Sequence, residues 1–109
     1  MNLNNLAKTI GLQDQHLTLL QEIFDRYPQV EQVKVYGSRA KNTFQEWSDI
    51  DLVVYGQTID RVILGKINQD LEESDLPYLV DLQQYESLTN QDLIQEIDRF
   101  SISIFGLST

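Results

Sequence analysis

The sequence predicts an α/β fold, a small mixed β-sheet with helices packed mainly on one face. Three observations lead there. Short runs rich in β-branched and aromatic residues, at Val33–Tyr36, Ile50–Tyr55 and Tyr78–Gln83, alternate with stretches whose apolar residues recur every three or four positions. The second run is apolar almost throughout, as a strand buried on both faces requires. Finally, the first run closes on Gly37-Ser38 and the second opens on Asp49-Ile50-Asp51. If those two features serve one site, their strands run antiparallel.

Taken in order, residues 1–12 carry only a short apolar pattern at Leu3, Leu6 and Ile10. Asp14 is placed to cap a helix bearing Leu17, Leu20, Phe24 and Tyr27, which Pro28 ends. Val33–Tyr36 is the first strand, Ser38–Asn42 a short helix opening off it, and 43–48 a loop. After the Ile50–Tyr55 strand, Gly56 and Gln57 turn the chain. Thr58 is the expected cap of a helix from about Ile59 to Glu73, with Ile63, Leu64, Ile67 and Leu71 inward. Pro77 precedes the third strand, Tyr78–Gln83. Asn90 starts a helix with Leu93, Ile94, Ile97 and Phe100 inward. Ser101–Phe105 alternates with period two and reads as a final strand.

Length fits a single domain, residues 1–109, able to bury roughly 60–70% of its unfolded surface. The chain has no cysteine, which excludes disulfides, thiolate metal sites and thiol nucleophiles. The N-terminus lacks the pattern of a signal peptide, and no apolar run approaches a membrane span, so a cytoplasmic location without a membrane partner is expected.

The net charge of −9 argues against a nucleic-acid template as partner. Its distribution is uneven: residues 57–109 carry three basic and ten acidic side chains. Lys34, Arg39 and Lys41 form the one basic cluster, suited to a small anionic ligand or to an ordinary solvated patch.

Residues i and i+2 of a strand share a face, so Asp49 and Asp51 project side by side. Two such carboxylates repel each other unless a cation lies between them. Mg²⁺, held by one or two carboxylates plus phosphate oxygens, fits that need. Asp81, flanked by Val80 and Leu82, is the candidate third carboxylate, with pairing to Arg61 or Lys66 as its plainer reading. Gly37 allows close backbone approach, and Ser38 with the amides at a helix start forms an anion cradle for a triphosphate. Trp47 reads as packing or as a base-stacking surface, and His16 as a surface residue.

Together, Gly37-Ser38-Arg39-Ala40-Lys41-Asn42, the ten-residue gap from Arg39 to Ser48, Ser48-Asp49-Ile50-Asp51-Leu52 and the later Asp81 resemble the minimal nucleotidyltransferases of the DNA-polymerase-β-like superfamily. The resemblance covers roughly residues 12–105. It implies the nucleotidyltransferase fold, with two Mg²⁺ ions on Asp49 and Asp51, the catalytic one also on Asp81. It implies Gly37 and Ser38 holding the β- and γ-phosphates of ATP, with Arg39 assisting. It further implies transfer of AMP to a helical HEPN-type partner, a toxin to which such proteins act as antitoxins, in a hetero-oligomer. The rival reading is a non-catalytic module that neutralises its partner by contact. One departure stands out: the family commonly reads Gly-Ser-x-Ala-x-Gly, and here Asn42 holds the last position. Asparagine is among the non-glycine residues best able to take positive φ.

Overall fold

A computed structural model describes residues 3–106. The elements are α1 (Leu3–Thr9), α2 (Asp14–Asp25), β1 (Gln32–Tyr36), α3 (Ser38–Lys41), β2 (Ile50–Tyr55), α4 (Arg61–Glu73), β3 (Val80–Gln84), a 3₁₀ turn (Tyr85–Ser87), α5 (Gln91–Arg99) and β4 (Ile102–Gly106). The four strands lie in the order β3-β2-β1-β4. β1 is antiparallel to both β2 and β4, while β2 and β3 are parallel, joined through α4. This is the mixed sheet expected from sequence.

Strand pleating divides the interior into two clusters. Val33, Val35, Ile50, Leu52 and Val54 face the larger one, packed against Leu6, Ile10, Leu17, Leu20, Ile23, Phe24, Ile67 and Leu71 from α1, α2, α4 and the turn after α1. On the opposite face Tyr36 and Val53 meet Ile97 of α5, with Tyr55, Tyr85, Leu88 and Leu93 around them. Three helices therefore cover one face and α5 alone covers part of the other. Asp51 lies on the α5 side, because it shares the pleat of Val53.

Several element boundaries differ from the sequence reading for local physical reasons. α4 is capped by Asp60, whose Oδ1 accepts the Ile63 amide at 2.8 Å, not by Thr58. The carboxylate also suits the positive end of the helix dipole. Gln13 takes the extended cap position before α2, which makes Asp14 its first helical residue. Phe100, expected inward, is 52% exposed. It falls at the end of α5, where φ of −132° leaves the helical phase. His16, expected at the surface, is half-buried with its ring edge-on to Tyr78 at 5.5 Å.

The outer strand β4 is blunted. Its pairing with β1 slips at Val33/Lys34, and the Gln21 side chain of α2 donates to the Ile104 carbonyl at 3.0 Å. Irregularity and side-chain cover are common protections for a sheet edge. No described helix is long and apolar enough to cross a membrane.

Candidate active site

The strand register brings the expected residues into one neighbourhood. Tyr36, the last residue of β1, pairs with Asp51, and Asp51 pairs with Asp81 across the parallel β2–β3 junction. Gly37 and Ser38 follow directly, so the turn leaving β1 lies over the start of β2. Gly37 has φ 72° and ψ −149°, a conformation essentially reserved for glycine. A Cβ there would collide with Asp51 Oδ2. The glycine turn and the carboxylate are thus in van der Waals contact, with nothing larger than hydrogen between them.

The turn is closed by backbone bonds. Lys41 N donates to Gly37 O at 3.1 Å and Thr43 N to Ser38 O at 2.9 Å. Asn42 ends α3 at φ 60°, ψ 35°, so it adopts the left-handed conformation that a glycine would otherwise supply.

Electrostatically the site is crowded with one sign of charge. Burial, followed by the charges of Asp81, Asp49 and Glu96, holds the Asp51 carboxyl above the usual carboxylate range, while Arg39 opposes. Burial and then Asp81, Asp51 and Glu96 push the Tyr36 hydroxyl up to about 12. Glu96, from α5, was missed by sequence reasoning. Its carboxylate receives Lys41 Nζ at 2.9 Å, tying α5 to the end of α3. No sequence signal marks it, since an acidic residue beside Ile97 on an amphipathic helix looks like an ordinary flank.

The expected carboxylates differ in setting. Asp51 is half-buried, while Asp49 and Asp81 are exposed. Asp81 therefore does not suffer the burial penalty argued from its apolar neighbours, and it accepts a hydrogen bond from Gln83 at 3.2 Å instead of meeting Arg61 or Lys66. Among the described residues, no group of three acidic, histidine or cysteine side chains is arranged to enclose a metal ion. The three expected carboxylates gather as a register-matched pair, Asp51 and Asp81, with Asp49 acting on Asp51 from alongside. The donor set still fits Mg²⁺, because that ion uses one or two carboxylates and completes its shell with water and phosphate oxygens.

Arg39, expected to assist at the phosphates, is enclosed within the fold. Its side chain is 1% exposed. Nη1 donates to the carbonyls of Ile10 and Gly11 at 3.0 and 3.1 Å, and Nη2 to Ser48 O at 2.6 Å. The guanidinium carbon lies 5.3 Å from the Phe44 ring centre and 4.8 Å from that of Tyr78. The ends of the guanidinium are thus taken up by backbone carbonyls. Burial lowers its pKa, with Tyr78, Asp51 and Asp49 opposing. Of the basic cluster, Lys34 stands 5.4 Å from the Tyr55 ring centre and Lys41 is paired with Glu96. Trp47 is 65% exposed and its ring lies 5.7 Å from Tyr78, two residues before Asp49.

Comparison with known proteins points the same way as the geometry. The chain is 30% identical over 88 residues to the probable protein adenylyltransferase MntA of Haemophilus influenzae, spanning 80% of this chain and 73% of that protein. A crystal structure of a toxin–antitoxin with AMP-PNP matches with TM-score 0.68 and 25% identity, covering 84% of this chain and 73% of that one. The fold also matches the complex of a tri-AMPylated Shewanella oneidensis HEPN toxin with an MNT antitoxin, at TM-score 0.57 and 23% identity, over 86% and 69% of the two chains. The family described as polymerase beta, nucleotidyltransferase matches residues 19–109, from the second half of α2 through the glycine turn and all four strands. With its turn, its register-paired aspartates and its sheet order all inside that match, the chain belongs to the polymerase-β-type nucleotidyltransferase family.

Proposed function

We propose that the protein, working as a single minimal domain, transfers AMP from ATP to a side chain of a partner protein, a HEPN-type toxin, and so acts as its antitoxin. The carrying observation is the contact between Gly37 and Asp51, with Asp81 in register beyond it. That arrangement suits a triphosphate seated on the turn with its α-phosphorus toward the carboxylates. The likeness to a probable protein adenylyltransferase and to a toxin–antitoxin holding AMP-PNP supports the same reading.

In this reading the Gly37–Ser38 backbone and the Ser38 hydroxyl hold the β- and γ-phosphates. Asp49, Asp51 and Asp81 hold Mg²⁺, two ions in the full assembly. Bound Mg²⁺ supplies the positive charge that offsets both the phosphates and the crowded carboxylates. An acceptor hydroxyl oxygen then bonds to the α-phosphorus as the bond from that phosphorus to the bridging oxygen breaks. Pyrophosphate departs and the hydroxyl proton passes to solvent. Arg39 touches none of the reacting groups.

Incubation with labelled ATP, Mg²⁺ and the helical partner should label the partner. Asp51→Asn should lower that labelling by about 10²–10³-fold, the usual loss when one group stabilising transition-state charge is removed. Absence of transfer by the wild type, or equal transfer by Asp51→Asn, would sink the enzymatic reading. If a folded Asp49→Asn, Asp51→Asn variant still suppressed the partner's toxicity, neutralisation by contact would replace it.

A further inference from the structure

We propose that Arg39 is the positioning residue of this site, locking the two carboxylate-bearing segments to the phosphate turn. The inference rests on the nucleotidyl-transfer reading for its consequence, but its structural grounds are separate. Arg39 follows Gly37-Ser38 directly and lies on α3. Its side chain joins three other segments. Nη1 holds the carbonyls of Ile10 and Gly11 in the turn after α1. Nη2 holds Ser48 O, one residue before Asp49, at 2.6 Å. One neighbouring ring is Tyr78, in the run that leads into Asp81. That run is itself docked beside Asp49, because Ile50 N donates to Leu79 O at 2.9 Å.

The loop from residue 43 to 48 has no regular structure, and Asp49 is exposed at its end. The β1–β2 pairing fixes Asp51 beside Tyr36, while Asp49 lies just outside that ladder, at the junction of loop and strand. The guanidinium supplies an anchor there. Its planar fork reaches two directions at once and its faces accept aromatic rings, which an ammonium on a flexible stem does not reproduce. The packing around it is correspondingly tight: Phe44 lies where a Cβ on Gly11 would be.

Two features describe how it is held. Nε forms no hydrogen bond within the protein, so the guanidinium's bonds all run through its two terminal nitrogens. And all three bonds go to backbone carbonyls, one of them to Ser48 directly before Asp49 and two to the turn after α1.

The test uses Mn²⁺ as the metal probe with a non-hydrolysable ATP analogue, bound ion being followed by electron paramagnetic resonance beside thermal unfolding of the same samples. Arg39→Lys keeps the charge and loses the fork. At a temperature where it is folded, it should bind Mn²⁺ about tenfold more weakly than the wild type, the scale seen when a partner that orients metal ligands is removed. A lowered melting temperature with wild-type Mn²⁺ affinity would show a merely structural role and overturn the proposal. Should Arg39→Lys not fold, Tyr78→Leu decides in its place: weaker Mn²⁺ binding supports the proposal and unchanged binding overturns it. A wild type that transfers no AMP while the Mn²⁺ difference persists removes the proposed function and leaves the positioning role standing. Absence of Mn²⁺ binding in the wild type overturns both.

Discussion

Gly37 and Arg39, two residues apart, divide the work of the site between backbone and side chain. Gly37 occupies a conformation open to glycine, and its missing side chain leaves the space taken by Asp51 Oδ2. Gly37→Ala should therefore lower stability by about 1–3 kcal/mol for the backbone alone, with a further loss as Asp51 is pushed away. Thermal unfolding measures the first effect, and AMP transfer at a temperature where the variant is folded measures the second. The glycine could be read from sequence because its residue type announces its use. The fate of Arg39 could not: the same residue in the same motif serves equally well as a phosphate ligand or as a buried brace. Only the positions of Ile10, Gly11, Ser48 and Tyr78 distinguish the two.

At the scale of elements, the strands were legible because they carry strong local signals. The apolar run of β2 and the β-branched run of β1 appear where expected, and their antiparallel pairing follows from placing Gly37 and Asp51 together. Caps were less legible, because Thr58 and Asp60 both qualify by residue type and the chain's path after Gly56 chooses between them. Asp60→Ala should destabilise α4 by about 1 kcal/mol, with Thr58→Ala much milder, as melting temperatures of the two variants will show. The link between α3 and α5 through Lys41 and Glu96 is a partly exposed ion pair. Glu96→Gln should accordingly change stability by no more than about 1 kcal/mol. It removes one of the like charges beside Asp51, however, so the midpoint of the Asp51 carboxyl titration should fall, measurable by carbon NMR of that side chain.

For the whole molecule the net charge is −9, and four of its carboxylates, Asp49, Asp51, Asp81 and Glu96, interact at the site. Asp51 is the group that feels this most, facing Asp81, Asp49 and Glu96, with Arg39 opposing. Its pKa is raised on folding, so the folded state binds the proton more readily than the unfolded chain. Its contribution to stability is therefore greatest below the ordinary carboxylate pKa of 3.8 and declines as pH rises through the elevated folded value. Asp51→Asn should in consequence melt higher than the wild type at neutral pH without divalent metal, an advantage that vanishes in acid and shrinks when Mg²⁺ is added. Equal melting temperatures at neutral pH would contradict this account.

The sequence by itself determined the strand-forming runs, the glycine turn, the aspartate pair and hence the family resemblance, because each rests on residue type and short spacing. Tertiary structure alone decided the rest. It set Asp81 in register with Asp51, brought Glu96 in from α5, left Asp49 and Asp81 in solvent, and buried Arg39 among carbonyls from distant segments. Those outcomes depend on which chain segments meet in space, and local spacing does not encode the close packing and electrostatic balance of groups that meet only when the sheet is complete.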